Sequence, residues 1–367
     1  MNESSFRIND MRNAKEFNGV TFSGYKKGDV FKELNKALKE GRVEPACYWS
    51  AELICAGHLL ELWEVIFGFA GKNIHTANPL LFPYLELRLA SFLECVRERY
   101  TDNELEMRNS DFVRELFGEI IATLALSKKT YSVDSVKIKS NTEFDMLNIA
   151  NKLKAPSMSY AGSYMTPEDA QEVLVAINEF VYHLSDDSKN AMMAFYWLEW
   201  IISFDTLCRT RKQPLSCMQR KMGDHISPKY YGDVIWLVWD ILIRKSKETP
   251  QVIVSKIMSS LCTLFSLRYS SGAKKKRKSL LYMAVHLLTI KVDFSISITT
   301  NKPQVSAVVK DIGKIYKQIK KGEKSPSTNV MFGKEIKDRS SQDRSAEKLE
   351  IMRQIDMSGV GYMKYNR

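Results

Sequence analysis

The amino-acid sequence predicts an all-α protein: a multi-helix body in two helical halves, followed by a basic, partly disordered C-terminal arm. Three observations predict it. Apolar residues recur at helical spacing through most of residues 22–290. Only 17 Gly and 10 Pro interrupt 367 residues, too few for a fold of many short strands. A hydrophobic share of 44% is enough to fill a sizeable core.

Taken in order, residues 1–21 read as a flexible N-terminus, polar at its start and without the apolar core of a signal peptide. The first helical half covers 22–130. Val30, Phe31, Leu34, Ala37 and Leu38 share one helical face, with Asp29 as the N-cap and Gly41 as the stop. Pro45 falls in the first turn of a second helix, where its missing N–H costs little, and Gly57 ends that helix. A third helix runs over 59–70 and is closed by Gly71. Asn78-Pro79 marks a turn, and helices over 80–100 and 111–126 complete the half.

Residues 131–165 read as a linker, with an extended piece at 131–139 and a loop at 154–162. The second half covers 166–298. Thr166-Pro167-Glu168-Asp169 has the signature of a helix start, a Thr cap followed by Pro and acids. That helix continues to Leu184. A polar break at 185–188 precedes a very apolar helix over 191–204, and further helices are expected over 230–242, 250–269 and 279–290. Residues 291–298 alternate apolar and polar side chains and predict a short strand. The pair Tyr48-Trp49 with Glu52 is echoed by Tyr196-Trp197 with Glu199. Duplication and the ordinary likeness of aromatic core helices both account for the echo. In the arm, 299–367, a helix is expected over 305–321. Beyond Gly322 the composition predicts disorder, apart from a short helix at 345–355.

Cys47, Cys55, Cys95, Cys208, Cys217 and Cys262 make no C-x-x-C pair, and most sit in apolar helical patterns, where free thiols behave as small hydrophobes. A reducing, intracellular setting without structural disulfides is therefore expected. No apolar run reaches the ~18 residues of a membrane span.

The net charge is +11. Residues 302–367 hold about +7 of it and the run Lys274, Lys275, Lys276, Arg277, Lys278 another five cations, so the remaining body is near neutral. Motifs of nucleotide binding, zinc proteolysis and serine hydrolysis are missing: Gly71-Lys72-Asn73 and Gly333-Lys334-Glu335 lack the glycine loop and hydroxyl of a P-loop. Cys208, Cys217 and His225 are the only close metal-ligand set, at spacings that match no common zinc pattern. Glu52, Glu61, Glu64, Glu199 and Asp240 lie in aromatic-rich helices, where capping and ion pairing explain them better than acid–base catalysis. No catalytic residue, metal or cofactor is expected.

The basic run reads in two ways, as a phosphate-binding or nuclear-localisation-type patch on a flexible Ser-Ser-Gly-Ala lead, or as a solvated loop between helices. Lys310, Lys314, Lys317 and Lys321 then fall on one face of the arm's helix, with Ile312, Ile315, Tyr316 and Ile319 on the other. Such a helix suits docking on its own body, a membrane surface or nucleic acid, and its phosphate contacts would carry little sequence preference. Tyr48, Trp49, Trp63, Tyr196, Trp197 and Trp200 are the aromatic anchors expected in the core or at a protein interface.

Residues 22–27 (Phe-Ser-Gly-Tyr-Lys-Lys), 44–57 (Glu-Pro-Ala-Cys-Tyr-Trp-Ser-Ala-Glu-Leu-Ile-Cys-Ala-Gly) and 72–79 (Lys-Asn-Ile-His-Thr-Ala-Asn-Pro) resemble an uncharacterised protein family of nucleocytoplasmic large DNA viruses. Residues 152–156 (Lys-Leu-Lys-Ala-Pro) and 195–200 (Phe-Tyr-Trp-Leu-Glu-Trp) fit the same family. A shorter stretch, with Tyr48-Trp49, Ala51, Ala56-Gly57, Ala70, Ile74 and Ala77-Asn78-Pro79, is similar to the helical collar that follows the ATPase core of clamp-loader-like proteins; the ATPase module is absent. These resemblances imply a non-enzymatic viral assembly protein acting near viral DNA in replication or transcription, or else an internal virion component. The implied partners are nucleic acid, bound through phosphate, viral proteins and further copies of the chain. The implied setting is the host cytoplasm, in a viral factory, or the nucleus, with packaging in the virion as an alternative.

Overall fold

The computed structural model describes residues 6–100, 103–130, 136–139, 142–223 and 226–323. Among them the protein is all-α, with fourteen α-helices and no strand beyond one isolated bridge, Val20 to Lys26. The chain divides into two compact units. One runs to Thr130 and resumes at Ser295; the other holds the residues between, through Phe294. The division falls after Thr130, and the arm's helix belongs to the first unit.

The first unit contains α1 (Lys27–Lys39), α2 (Val43–Cys55), α3 (Leu59–Phe69), α4 (Leu81–Arg99), α5 (Glu104–Asn109) and α6 (Asp111–Leu126). Val30, Leu34, Ala37 and Leu38 of α1 are buried, as their spacing requires. Lys26, not Asp29, is its N-cap residue, and Asp29 sits in the first turn, where the helix dipole favours an acid. Gly41 and Gly57 end α1 and α2 at φ +70 and +75, left-handed values that glycine adopts without steric cost. Gly71 ends nothing. The chain continues from α3 into a π-helical turn, Ala70–Ile74, and breaks at His75, whose φ is +49. Trp63, Phe92 and Phe117 form an aromatic knot between α3, α4 and α6, with centroids 5.3–6.0 Å apart.

The N-terminal segment is packed over its described part. Ile8 and Phe17 are buried, and Asn109 exchanges two hydrogen bonds with the Ile8 backbone, at 2.8 and 2.9 Å. The buried guanidinium of Arg108 donates to the carbonyls of Cys55 and Asp10 at 3.0 and 3.2 Å. That of Arg114 donates to Arg108 O at 2.9 Å and Phe6 O at 3.2 Å. Cys55 ends α2 and Arg108 lies in the last turn of α5, so these cations satisfy carbonyls left without helical partners.

In the second unit lie α7 (Met146–Ile149), α8 (Leu174–Leu184), α9 (Ala191–Thr210), α10 (Val234–Glu248), α11 (Val252–Ser266), α12 (Ala273–Lys276) and α13 (Lys278–Thr289). α8 pairs with α9 and α10 with α11, while α13 packs against all four. Thr166-Pro167 does not start a helix. Asp169 folds back to accept the Thr166 N–H at 2.8 Å and takes a bidentate pair from buried Arg220 at 2.6 and 2.8 Å, so the first helical turn waits until Gln171. The predicted linker is packed too. Glu179 of α8 accepts the N–H groups of Lys154 and Ala155, and Phe144 meets Trp200 and Phe204 at 5.4 Å. Residues 291–298 form no strand: the carbonyls of Ser297 and Ile298 accept from Asn78 of the first unit's turn instead of a neighbouring strand. Residues 131–135 and the expected helix at 345–355 lie outside the described residues.

The last helix, α14 (Lys302–Lys320), lies on α2 and α6, burying Val305, Ile312, Tyr316 and Ile319. A Cβ on Gly118 of α6 would come within 3.1 Å of Ile312 Cδ1, so glycine permits this close approach. The Arg114 guanidinium lies over the Tyr316 ring, 4.2 Å from its centroid. Tyr316→Ala should lower stability by about 3–5 kcal/mol, and Tyr316→Phe by less than about 1.5. Urea unfolding checks both, and an unchanged midpoint for the alanine variant would mean that α14 is not docked.

Candidate nucleic-acid interface

The sequence points to two groups of cations, and the structure treats them differently. In α14 the apolar stripe is consumed by docking, which turns Lys310, Lys314, Lys317 and Lys321 outward, all exposed. Lys314 pairs with Asp311 at 2.9 Å, an exposed contact that restrains it little. Spacings of four, three and four residues set the lysines along about 16 Å of one helix face. A row of exposed ammonium groups on a rigid rod is an arrangement that phosphates bind.

The run at 274–278 is not a flexible loop. It forms α12 and the start of α13, and only Lys275 and Lys276 point fully into solvent. Lys274 is 3% exposed and bonds Asp205, and Asp233 at 3.0 Å. Arg209 reaches the same two carboxylates at 3.0 and 3.1 Å, and the Tyr269 hydroxyl donates to Asp233 at 2.8 Å. Burial first, and the Asp233 charge second, push the Tyr269 phenol well above its ordinary range. Arg277 is buried and donates to the carbonyls of Phe265 and Leu267 at the end of α11. Lys278 pairs with Glu199 at 2.8 Å, and the Tyr282 hydroxyl also donates to Glu199. Three of the five cations therefore hold the second unit together, and as placed they are committed to internal acids and carbonyls. Asp205 and Asp233 were missed in the sequence as the partners of Lys274. Acids inside apolar helices were the available signal, since a buried carboxylate requires a buried cation.

The aromatic anchors separate likewise. Trp63, Tyr196, Trp197 and Trp200 are core residues, 0–7% exposed. Tyr48 and Trp49 are half-buried, and Trp49 packs against Tyr25, just before α1. The second Tyr-Trp pair is thus buried where the first reaches solvent. The acids differ as well: Glu52 accepts from Thr21 and Ser23, whereas Glu199 holds Lys278 and Tyr282. Glu61 pairs with Lys27 at 3.2 Å, and Asp240 lies 3.6 Å from Arg220.

One arrangement resembles a nucleophile relay. Ser188 Oγ lies 2.8 Å from His183 Nδ1, and His183 Nε2 lies 3.5 Å from Glu179 Oε2. Its chemistry argues for an anchor instead. Glu179 is committed to the backbone of Lys154 and Ala155, and burial pushes the imidazole down to about 4, too weak a base to activate a hydroxyl near neutral pH. Among the described residues no His, Cys, Asp and Glu cluster suits a metal, and His225 lies outside them. Burial also raises the Cys47 and Cys55 thiols to about 12, which suits packed thiols and not nucleophiles. No helix among the described residues is long and apolar enough to cross a membrane.

Compared with known families, curated proteins and solved structures, the chain matches none of them.

Two outcomes follow from these buried charges. Lys274→Ala should destabilise the second unit by about 3 kcal/mol by leaving Arg209 as the one cation shared by two buried carboxylates, while Lys275→Ala and Lys276→Ala should stay within about 0.5 kcal/mol. Equal thermal midpoints for all three variants would refute the division between structural and free cations. His183, with its pKa held below the ordinary 6.5, is neutral in the fold, and burial lowers His58 and His75 as well. The unfolded chain takes up these protons first as pH falls. Stability should therefore drop from about pH 6.5 downward, with His183 alone contributing on the order of 3 kcal/mol by pH 4. His183→Gln should show a smaller drop than the wild type in urea melts across that window. Identical drops would remove His183 from the explanation.

Proposed function

We propose that this chain is a non-enzymatic helical assembly protein of a large DNA virus, acting beside viral DNA in replication or transcription, with α14 as its phosphate-binding element. One observation carries the binding part of this reading. The apolar stripe of α14 is spent on α2 and α6, so Lys310, Lys314, Lys317 and Lys321 face solvent from a packed base. A helix whose charge served only solubility would have no need of so continuous a cationic face. The viral setting rests on the resemblance of residues 22–79, 152–156 and 195–200. The exposed Lys275 and Lys276 add a smaller cationic site on the second unit.

The alternative, a virion structural component, draws on a different observation. Leu87, Val252 and Met192 are 68%, 84% and 60% exposed, single apolar side chains on three separate helices that a protein contact would cover. Capture from infected cells separates the readings, with replication or transcription partners supporting the first and capsid partners the second.

Binding to labelled DNA should weaken steeply with salt. Replacing Lys310, Lys314, Lys317 and Lys321 together by Gln should reduce the log–log salt slope by about 3–4. Titrations at several salt concentrations measure it. Binding that is absent, or that ignores salt, would exclude the reading.

A further inference from the structure

The end of α14 does not face empty surface. Gly322, just past its last lysines, abuts Ser23 so closely that a Cβ there would lie 2.6 Å from Ser23 Oγ. Ser23 belongs to the turn that carries Tyr25, and Tyr25 is 45% exposed. Its ring meets the half-buried Trp49 edge-on, with centroids 5.4 Å apart at 81°, and Tyr48 meets Trp49 in the same way at 5.1 Å and 81°. Tyr25 is exposed and Trp49 and Tyr48 are half-buried, so each aromatic residue keeps surface open to solvent. The cluster is held firmly. Glu52, fully buried, accepts from Thr21 Oγ1 at 2.9 Å, Ser23 N at 3.0 Å and Ser23 Oγ at 2.6 Å, which fixes the turn to α2. The turn closes on a Thr21 N–H to Tyr25 O bond of 2.8 Å, with Gly24 at φ +88. Lys26, next in sequence to Tyr25, is exposed, as is Lys321 at the end of α14.

A row of lysines that ends beside a rigid aromatic platform suits one class of polymer. In a duplex the base faces are stacked on one another and hidden. In a single strand they are open, and each base can stack on a side-chain ring while its phosphate meets an ammonium group. We propose that the first unit binds single-stranded nucleic acid, its phosphates along Lys310, Lys314, Lys317 and Lys321 and its bases on Tyr25, Trp49 and Tyr48. The proposal rests on the phosphate-binding reading of α14 and adds the strandedness of the ligand. Because stacking accepts every base, the site discriminates little among sequences.

The test uses the full chain with a fluorescent oligo-dT of about 20 nucleotides and a duplex of the same length, both at low salt. The single strand should bind at least ~10-fold more tightly than the duplex and quench tryptophan emission. Tyr25→Ala combined with Trp49→Ala should weaken oligo-dT binding ~10-fold or more and leave duplex binding unchanged. Trp49→Phe should retain most of the affinity, because a ring remains. Tyr25→Ala alone, at an exposed position, serves as the variant if the double one fails to fold. Equal affinity for the two probes, or aromatic variants that bind oligo-dT like the wild type, would overturn the single-strand inference while salt-dependent binding upheld the phosphate reading. Failure of both probes to bind would overturn both.

Discussion

The seat of α14 on α2 and α6 is the contact on which the first unit depends. A helix nearly two hundred residues downstream of α6 returns to complete the core laid down by the first half of the chain. Its register is set by Tyr316, 1% exposed and covered by the Arg114 guanidinium. The same guanidinium also bonds the carbonyls of Phe6 and Arg108, so one side chain ties together the N-terminal segment, α5 and α14. Because Ile312, Tyr316 and Ile319 must point inward, the lysines must point outward. The cationic face therefore follows from packing.

Buried cations recur as the device that closes each unit. Arg108, Arg114 and Arg277 satisfy carbonyls that helix or segment ends leave unpaired, and Lys274 and Arg220 neutralise buried aspartates. Arg108 illustrates the cost: desolvation lowers its pKa, and fixed backbone dipoles offset the loss of water. Such charges contribute orientation more than net stability, since a guanidinium accepts few alternative geometries. This accounts for the packing of the N-terminal segment, 6–21, which buries only Ile8 and Phe17 among its apolar side chains.

The all-α class and most helix positions were legible, because a 3.6-residue apolar period and scarce glycine act locally. The misread places share a cause. Gly71 and the Thr166-Pro167-Glu168-Asp169 signature are local stop and start signals that tertiary partners override: the first is absorbed in a π-helical turn, and the second is redirected by Arg220. The strand expected at 291–298 fails because alternation indicates an extended chain, whereas a sheet also needs a neighbour. On the candidate interface, the lysine face of α14 was readable from spacing alone. The fate of Lys274–Lys278 was not, since burial of a cation depends on acids as remote as Asp205 and Asp233.

By itself, then, the sequence determined the class of the fold, the absence of recognised catalytic motifs and the concentration of charge toward the C-terminal end, all properties of composition and short-range periodicity. Tertiary structure decided which of those charges are surface and which are structural. It joined α14 to the first unit, and it brought the end of that helix beside Tyr25 and Trp49 through the contact of Gly322 with Ser23. The physical reason is range: helical periodicity is written within a few residues, whereas ion pairing and close backbone approach join residues tens to hundreds of positions apart.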